Sequence, residues 1–120
     1  MDRTFLLLGA VAAFLGVTLG AFGAHGLRGR LSPEMLSVFQ TGVLYRMYHA
    51  LGLILVAAIM GRMSGWLIQT AGWAFVAGIL LFSGSLYVLA ITGITVLGAI
   101  TPIGGLAFLI GWACLAFAAF

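Results

Sequence analysis

Apolar residues run along this chain in long blocks broken by brief polar or glycine-rich intervals. Four blocks are long enough to cross a bilayer core, which takes about 20 apolar residues: Thr4–Ala24, Val43–Gly61, Trp66–Ala90 and Ile103–Phe120. The intervals between them are Gly26–Gly42, Arg62–Gly65 and Ile91–Pro102. No block alternates with a period of two, so a barrel of strands is not expected. Helices satisfy their own backbone groups in lipid, and the pattern predicts an all-α bundle of four transmembrane helices in one membrane domain, residues 1–120.

The first interval carries a helix start of its own. In LSPEM, Ser32 is placed to cap, Pro33 to occupy the first helical position and Glu34 to lie in the first turn. A helix from there to Gly61 would be ~43 Å long, more than the ~30 Å hydrocarbon core. Its opening residues, MLSVFQTG, are therefore expected as a short amphipathic segment in the headgroup region, with Gly42 as a bend. Ser37, Gln40, Thr41, Tyr45 and Tyr48 fall on one side of it at helical spacing. The fourth block opens in the same way, with Thr101 as the expected cap and Pro102 after it.

Composition turns the membrane reading into a requirement. The chain is 64% hydrophobic and only 6% charged, against about 25% charged in soluble domains. A soluble fold would lack polar surface to cover itself. The charged start and long apolar run at the N-terminus resemble a signal peptide with cleavage near Ala24, but the run exceeds the ~7–15 residues of such a region and more spans follow. It is read as a retained span. The net charge of +3 comes from five arginines scattered between apolar blocks. They form no patch that would track a phosphate backbone, and no nucleic-acid partner is expected. The single Cys114 lies within the last span and admits no internal disulfide.

The candidate chemistry follows from connectivity. If the face nearest the N-terminus is side A and the other side B, span one leaves and span two enters at side B. The third and fourth spans repeat this. His25, Arg46, Tyr48, His49, Ser83, Ser85, Tyr87 and Thr101 then converge on the side-B half of the bundle. Arg46 lies close enough to side B for its stem to snorkel toward headgroups. Ionisable groups within spans usually face the bundle interior or a wet cavity. A shared pocket for a polar or anionic headgroup, a proton relay, and an internal hydrogen-bond network between helices all fit these residues. Two histidines without a Cys-His motif or a convincing carboxylate partner do not make a metal or haem site, and no cofactor is expected. A serine nucleophile at Ser83 or Ser85 lacks an evident orienting acid. Ala12, Gly16, Gly20 and Ala24 form a ridge of small residues on the first span, for packing within the chain or against a second copy. Arg3 and Arg62 on side A balance Arg28 and Arg30 on side B, so the arginines leave orientation open, while four spans put both termini on one side.

The segments GAFGAHGL (20–27), LYRMYHAL (44–51), LFSGSLYVL (81–89) and LGAITPIGGLAFLIGW (97–112) resemble the domain-of-unknown-function family 423, the uncharacterised protein family 0382. The resemblance covers essentially the whole chain. It implies an α-helical bacterial inner-membrane protein without an established biochemical activity, and it matches at His25 and His49. At position 46 this chain departs from the family pattern: Tyr45 is followed by Arg46, where the family usually has Tyr-Gln. That departure shifts the weight from Arg46 to His49. The residues together lead to the expectation of a non-catalytic membrane protein that binds lipid or a small amphipathic ligand, or docks a partner subunit. Transport of protons or a small solute past the histidines is the main alternative, and a serine hydrolase the weaker one.

Overall fold

A computed structural model describes residues 2–63 and 65–120, with the side chains of Asp2 and Ala24 outside the described set. Among the described residues there is no β-strand, and four helices are long and apolar enough to cross a membrane: Arg3–Leu27, Pro33–Ile59, Trp66–Thr92 and Thr95–Ala119. The long dimension of the molecule is 48 Å, close to the ~40–45 Å of a bilayer with its headgroups.

Local chemistry accounts for the helix ends. Ser32 Oγ accepts from Met35 N at 3.1 Å and Pro33 opens the second helix, as its missing N–H and fixed φ favour. The helix then runs unbroken to Ile59, so the amphipathic segment is simply its opening turns. Ser37, Gln40 and Tyr48 face outward there, while Phe39 and Gly42 are buried. Gly42 is not a bend; a Cβ at that position would lie 2.8 Å from Tyr87 Cε1, so the missing side chain admits the tyrosine ring. The third helix ends at Gly93, whose φ of 73° is the left-handed conformation that glycine adopts most easily. In the fourth helix the cap position falls to Ile100, not Thr101, and the Thr101 hydroxyl instead meets Ser85 of the third helix.

The helices alternate in direction. Along the first and second, Gly9 meets Ala50, Gly16 meets Met47, Gly20 meets Val43 and Gly23 meets Phe39, the signature of antiparallel packing. Third and fourth behave likewise: Phe75 packs on Gly111, Gly78 on Phe108 and Phe82 on Gly104. The second and third helices share the centre and are the most buried of the four spans. Their partners flank them, and Phe5, Leu53, Val56, Ile68, Phe75 and Phe108 form the core between. The two helices that enter at side B open on one pattern, SPEMLSVFQTG and TPIGGLAFLIG. In each, the Phe six residues after the Pro and the Gly nine residues after it are buried (Phe39 and Gly42, Phe108 and Gly111).

Both the first and the third helix contain one π-helical turn, at Leu19–Gly23 and Ile79–Ser83. Each re-aims the side chains that follow it. In the third helix Ser83 closes the turn, and the residues so re-aimed include Ser85 and Tyr87.

Close approach at glycine yields a direct test. A Cβ at Gly104 would lie 2.7 Å from Phe82 Cα, so Gly104→Ala must part the third and fourth helices and is expected to destabilise by about 1–3 kcal/mol. Gly84 meets nothing within 4 Å, and Gly84→Ala should be neutral or stabilising by up to about 1 kcal/mol. Unfolding in mixed micelles, followed by circular dichroism, compares the two.

Candidate functional site

The polar residues of the side-B half do not share one cavity. They divide into three pairings, each joining a different set of helices.

His49 is buried at 4% exposure between the second, third and fourth helices. Nδ1 lies 2.8 Å from the Tyr45 carbonyl, which only accepts, so Nδ1 carries the proton. Nε2 then accepts from the Trp112 indole N–H at 2.9 Å. The partners thereby select one neutral tautomer and occupy both ring nitrogens. Phe108 stacks on the imidazole at a centroid distance of 3.5 Å, and Phe75 meets it edge-on at 5.3 Å. An imidazolium would point a second N–H at the Trp112 N–H, donor against donor. This geometry holds helices together and leaves His49 no group to relay a proton to.

The second pairing ties the third helix to its neighbours. Ser83, 1% exposed, donates to the Gly42 carbonyl at 2.8 Å. Ser85 Oγ lies 2.6 Å from Thr101 Oγ1 and 2.9 Å from the Phe82 carbonyl, bridging to the start of the fourth helix. Neither serine has a base within reach, since His49 is engaged elsewhere.

The third pairing centres on Arg46. Nε donates to the Ala12 carbonyl at 3.1 Å, so the side chain crosses laterally to the middle of the first helix and does not snorkel to side B. Its Cζ lies 6.0 Å from the centroid of the Tyr87 ring, at the edge of cation–π range. The Tyr87 hydroxyl is buried beside the guanidinium, yet no partner closes a hydrogen bond on it. The chain has two acidic side chains. Glu34 lies twelve residues before Arg46 on the same helix, ~18 Å away along the axis, and Asp2 is outside the described side chains. Among the described residues, then, no carboxylate compensates this mid-span cation.

Arg46 also floors a groove of about 180 Å³ between the first and third helices. Leu8, Val11 and Ala12 form one wall, Val76, Ile79 and Leu80 the other, and Leu53 continues the floor.

Two expected members stand apart. His25 is exposed at the end of the first helix, and Tyr48 is 52% exposed with its ring against Tyr45. Neither reaches His49, because the second helix turns Tyr48 outward and the first helix ends away from the imidazole. The ridge residues Ala12 and Gly16 are buried, and Gly16 and Gly20 face Met47 and Val43 of the second helix. The ridge member Ala24 lies outside the described side chains. Sequence reasoning passed over Trp112. An indole N–H within a span needs an acceptor, and that requirement could have pointed to a histidine.

Comparison with known proteins agrees with this architecture. The model of a family of proteins of unknown function, DUF423, matches residues 19–105. The chain belongs to that family. A UPF0382 membrane protein of Bacillus subtilis, YwdK, is 55% identical, with 98% of this chain and 96% of the relative covered. A UPF0382 membrane protein of Staphylococcus haemolyticus is 50% identical at the same coverage, and one from Staphylococcus saprophyticus is 47% identical over 98% of both chains. No solved structure matches the chain. The relatives share the membrane assignment in their names, and the four apolar helices account for it.

The His49 pairing makes a quantitative expectation. Trp112→Phe leaves Nε2 of a buried imidazole without its donor and should destabilise by about 1–3 kcal/mol. A double-mutant cycle with His49→Leu, read by unfolding in micelles, should return a coupling of at least about 0.5 kcal/mol. Additive losses would mean that the bond contributes nothing.

Proposed function

We propose that this DUF423 protein is a non-catalytic membrane protein that seats part of a lipid or similar amphiphile in the groove between its first and third helices. The supporting observation is the groove itself, apolar on both walls and floored by a mid-span arginine. Ligand sites are commonly apolar clefts with few, well-placed polar groups. At about 180 Å³ it is smaller than the ~300–1,000 Å³ of sites that enclose a whole small molecule. It suits a segment of an acyl chain. A cation within a span is expensive and usually marks function.

The arrangement of the other polar groups favours this reading over its rivals. Both serines donate to backbone carbonyls and lack a base, which speaks against a hydrolase. Transport would need a polar path, and His49 is enclosed by aromatic rings with both nitrogens engaged. The ridge glycines Gly16 and Gly20 face the second helix, which favours packing within the chain over a second copy. In this reading the protein resides in the bacterial plasma (inner) membrane, lipids are its partners, and both termini lie on one side.

Val11 is exposed on the groove wall, so Val11→Trp fills the groove without disturbing the core. Native mass spectrometry of the purified protein is expected to show retained lipid that falls to background in this variant. An unchanged lipid pattern would refute the proposal.

A further inference from the structure

We infer that the groove's ligand is a single-chain carboxylate of the long-chain fatty-acid class, its head group held by Arg46 with the Tyr87 hydroxyl as second donor. This rests on the groove being a ligand site and adds what that ligand must carry.

Three observations lead there. The first is electrostatic: the Arg46 side chain crosses to the Ala12 carbonyl in the middle of the first spanning helix, with no carboxylate beside it among the described residues. A guanidinium presents five N–H donors, and the described residues set only the Ala12 carbonyl and the Tyr87 hydroxyl, both neutral, against it. The natural complement is an anion. The second is the hydroxyl of Tyr87, buried next to the guanidinium that faces it, with no acceptor in reach of its own proton. Buried polar groups are nearly always paired, and an unpaired one calls for an explanation. Tyr87 lies beyond the π-helical turn of the third helix, its ring against Gly42 of the second helix and its hydroxyl beside the arginine that floors the groove. Two donors at one place ask for an acceptor with more than one lone pair. A planar carboxylate offers two oxygens, one pair of lone pairs to the Arg fork and another to a phenol.

The third observation concerns size. A groove of about 180 Å³ with two apolar walls accepts one chain, not two, which argues against a diacyl phospholipid. Depth points the same way. A monoanion paired one-to-one with Arg46 leaves no surplus charge in the low-dielectric interior, whereas unpaired charge there is strongly disfavoured. The tail then lies along Leu8, Leu53 and Val76 toward side A.

The test uses the full chain in nanodiscs of zwitterionic phosphatidylcholine carrying spin-labelled stearate, with displacement read by electron paramagnetic resonance. Dodecanoate should displace the label about tenfold better than dodecanol, as expected for hydrogen bonds to a charged group. Arg46→Gln should erase that preference while leaving dodecanol displacement intact, and Tyr87→Phe should reduce it several-fold. Val11→Trp should abolish displacement by both compounds. Equal displacement by acid and alcohol in the wild type, or an undiminished preference in Arg46→Gln, overturns the carboxylate assignment while the groove still binds. Better displacement by lyso-phosphatidylglycerol than by dodecanoate overturns it in favour of a phosphodiester head. Label immobilisation unaffected by Val11→Trp overturns the groove reading itself. Because each variant is judged on a ratio between two compounds, a partial loss of folded protein does not mimic the expected result.

Discussion

Lipid offers helices no hydrophobic reason to associate, so a bundle in a membrane depends on how closely its backbones can approach. In this chain that constraint is met by glycine. Gly9 brings the first helix against the Ala50 carbonyl, Gly104 brings the fourth against the Phe82 backbone, and Gly72, Gly78 and Gly111 accept the rings of Phe5, Phe108 and Phe75. Rings seated on missing side chains give dense dispersion contact where helix faces would otherwise meet as loosely as they meet lipid. The three polar pairings follow from this closeness. The Ser83 hydroxyl reaches the Gly42 carbonyl because no Cβ holds the helices apart, and Arg46 reaches Ala12 one turn from Gly16.

The pairings differ in how completely they satisfy their members, and that difference locates the candidate site. Around His49 and around the two serines every polar atom has a partner. These networks specify which helix meets which and at what register. Around Arg46 the account does not close: a cation faces only a carbonyl and a neutral hydroxyl, with no carboxylate beside it among the described residues. The same place is where the first and third helices part to leave a groove. Incomplete satisfaction and an opening to lipid coincide at one residue.

Much of the fold was legible in the residues because the physics behind it is local. Four apolar blocks, Ser32 with Pro33, and hairpin connectivity each involve neighbours along the chain. The candidate site was legible only in part. Connectivity assigned Arg46, His49, Ser83, Ser85, Tyr87 and Thr101 to one half of the bundle, and in the structure they divide among three separate pairings. But residues three apart on a helix diverge by about 60°. Arg46 turns to the first helix and His49 to the fourth, and a pocket shared by both does not form. Tyr48 is turned outward by its place on the second helix, and His25 is exposed at the end of the first.

From its residues alone, then, this chain is an all-α membrane protein with four spans and a capped second helix. Composition and periodicity settle those matters, since lipid leaves so apolar a chain no other way to satisfy its backbone. Only the tertiary structure decides what each polar group does. The Ala12 carbonyl and the Trp112 indole lie 34 and 63 residues from their partners. Which of them a side chain meets depends on helix rotation, and that rotation is set by where the glycines let rings and backbones come together.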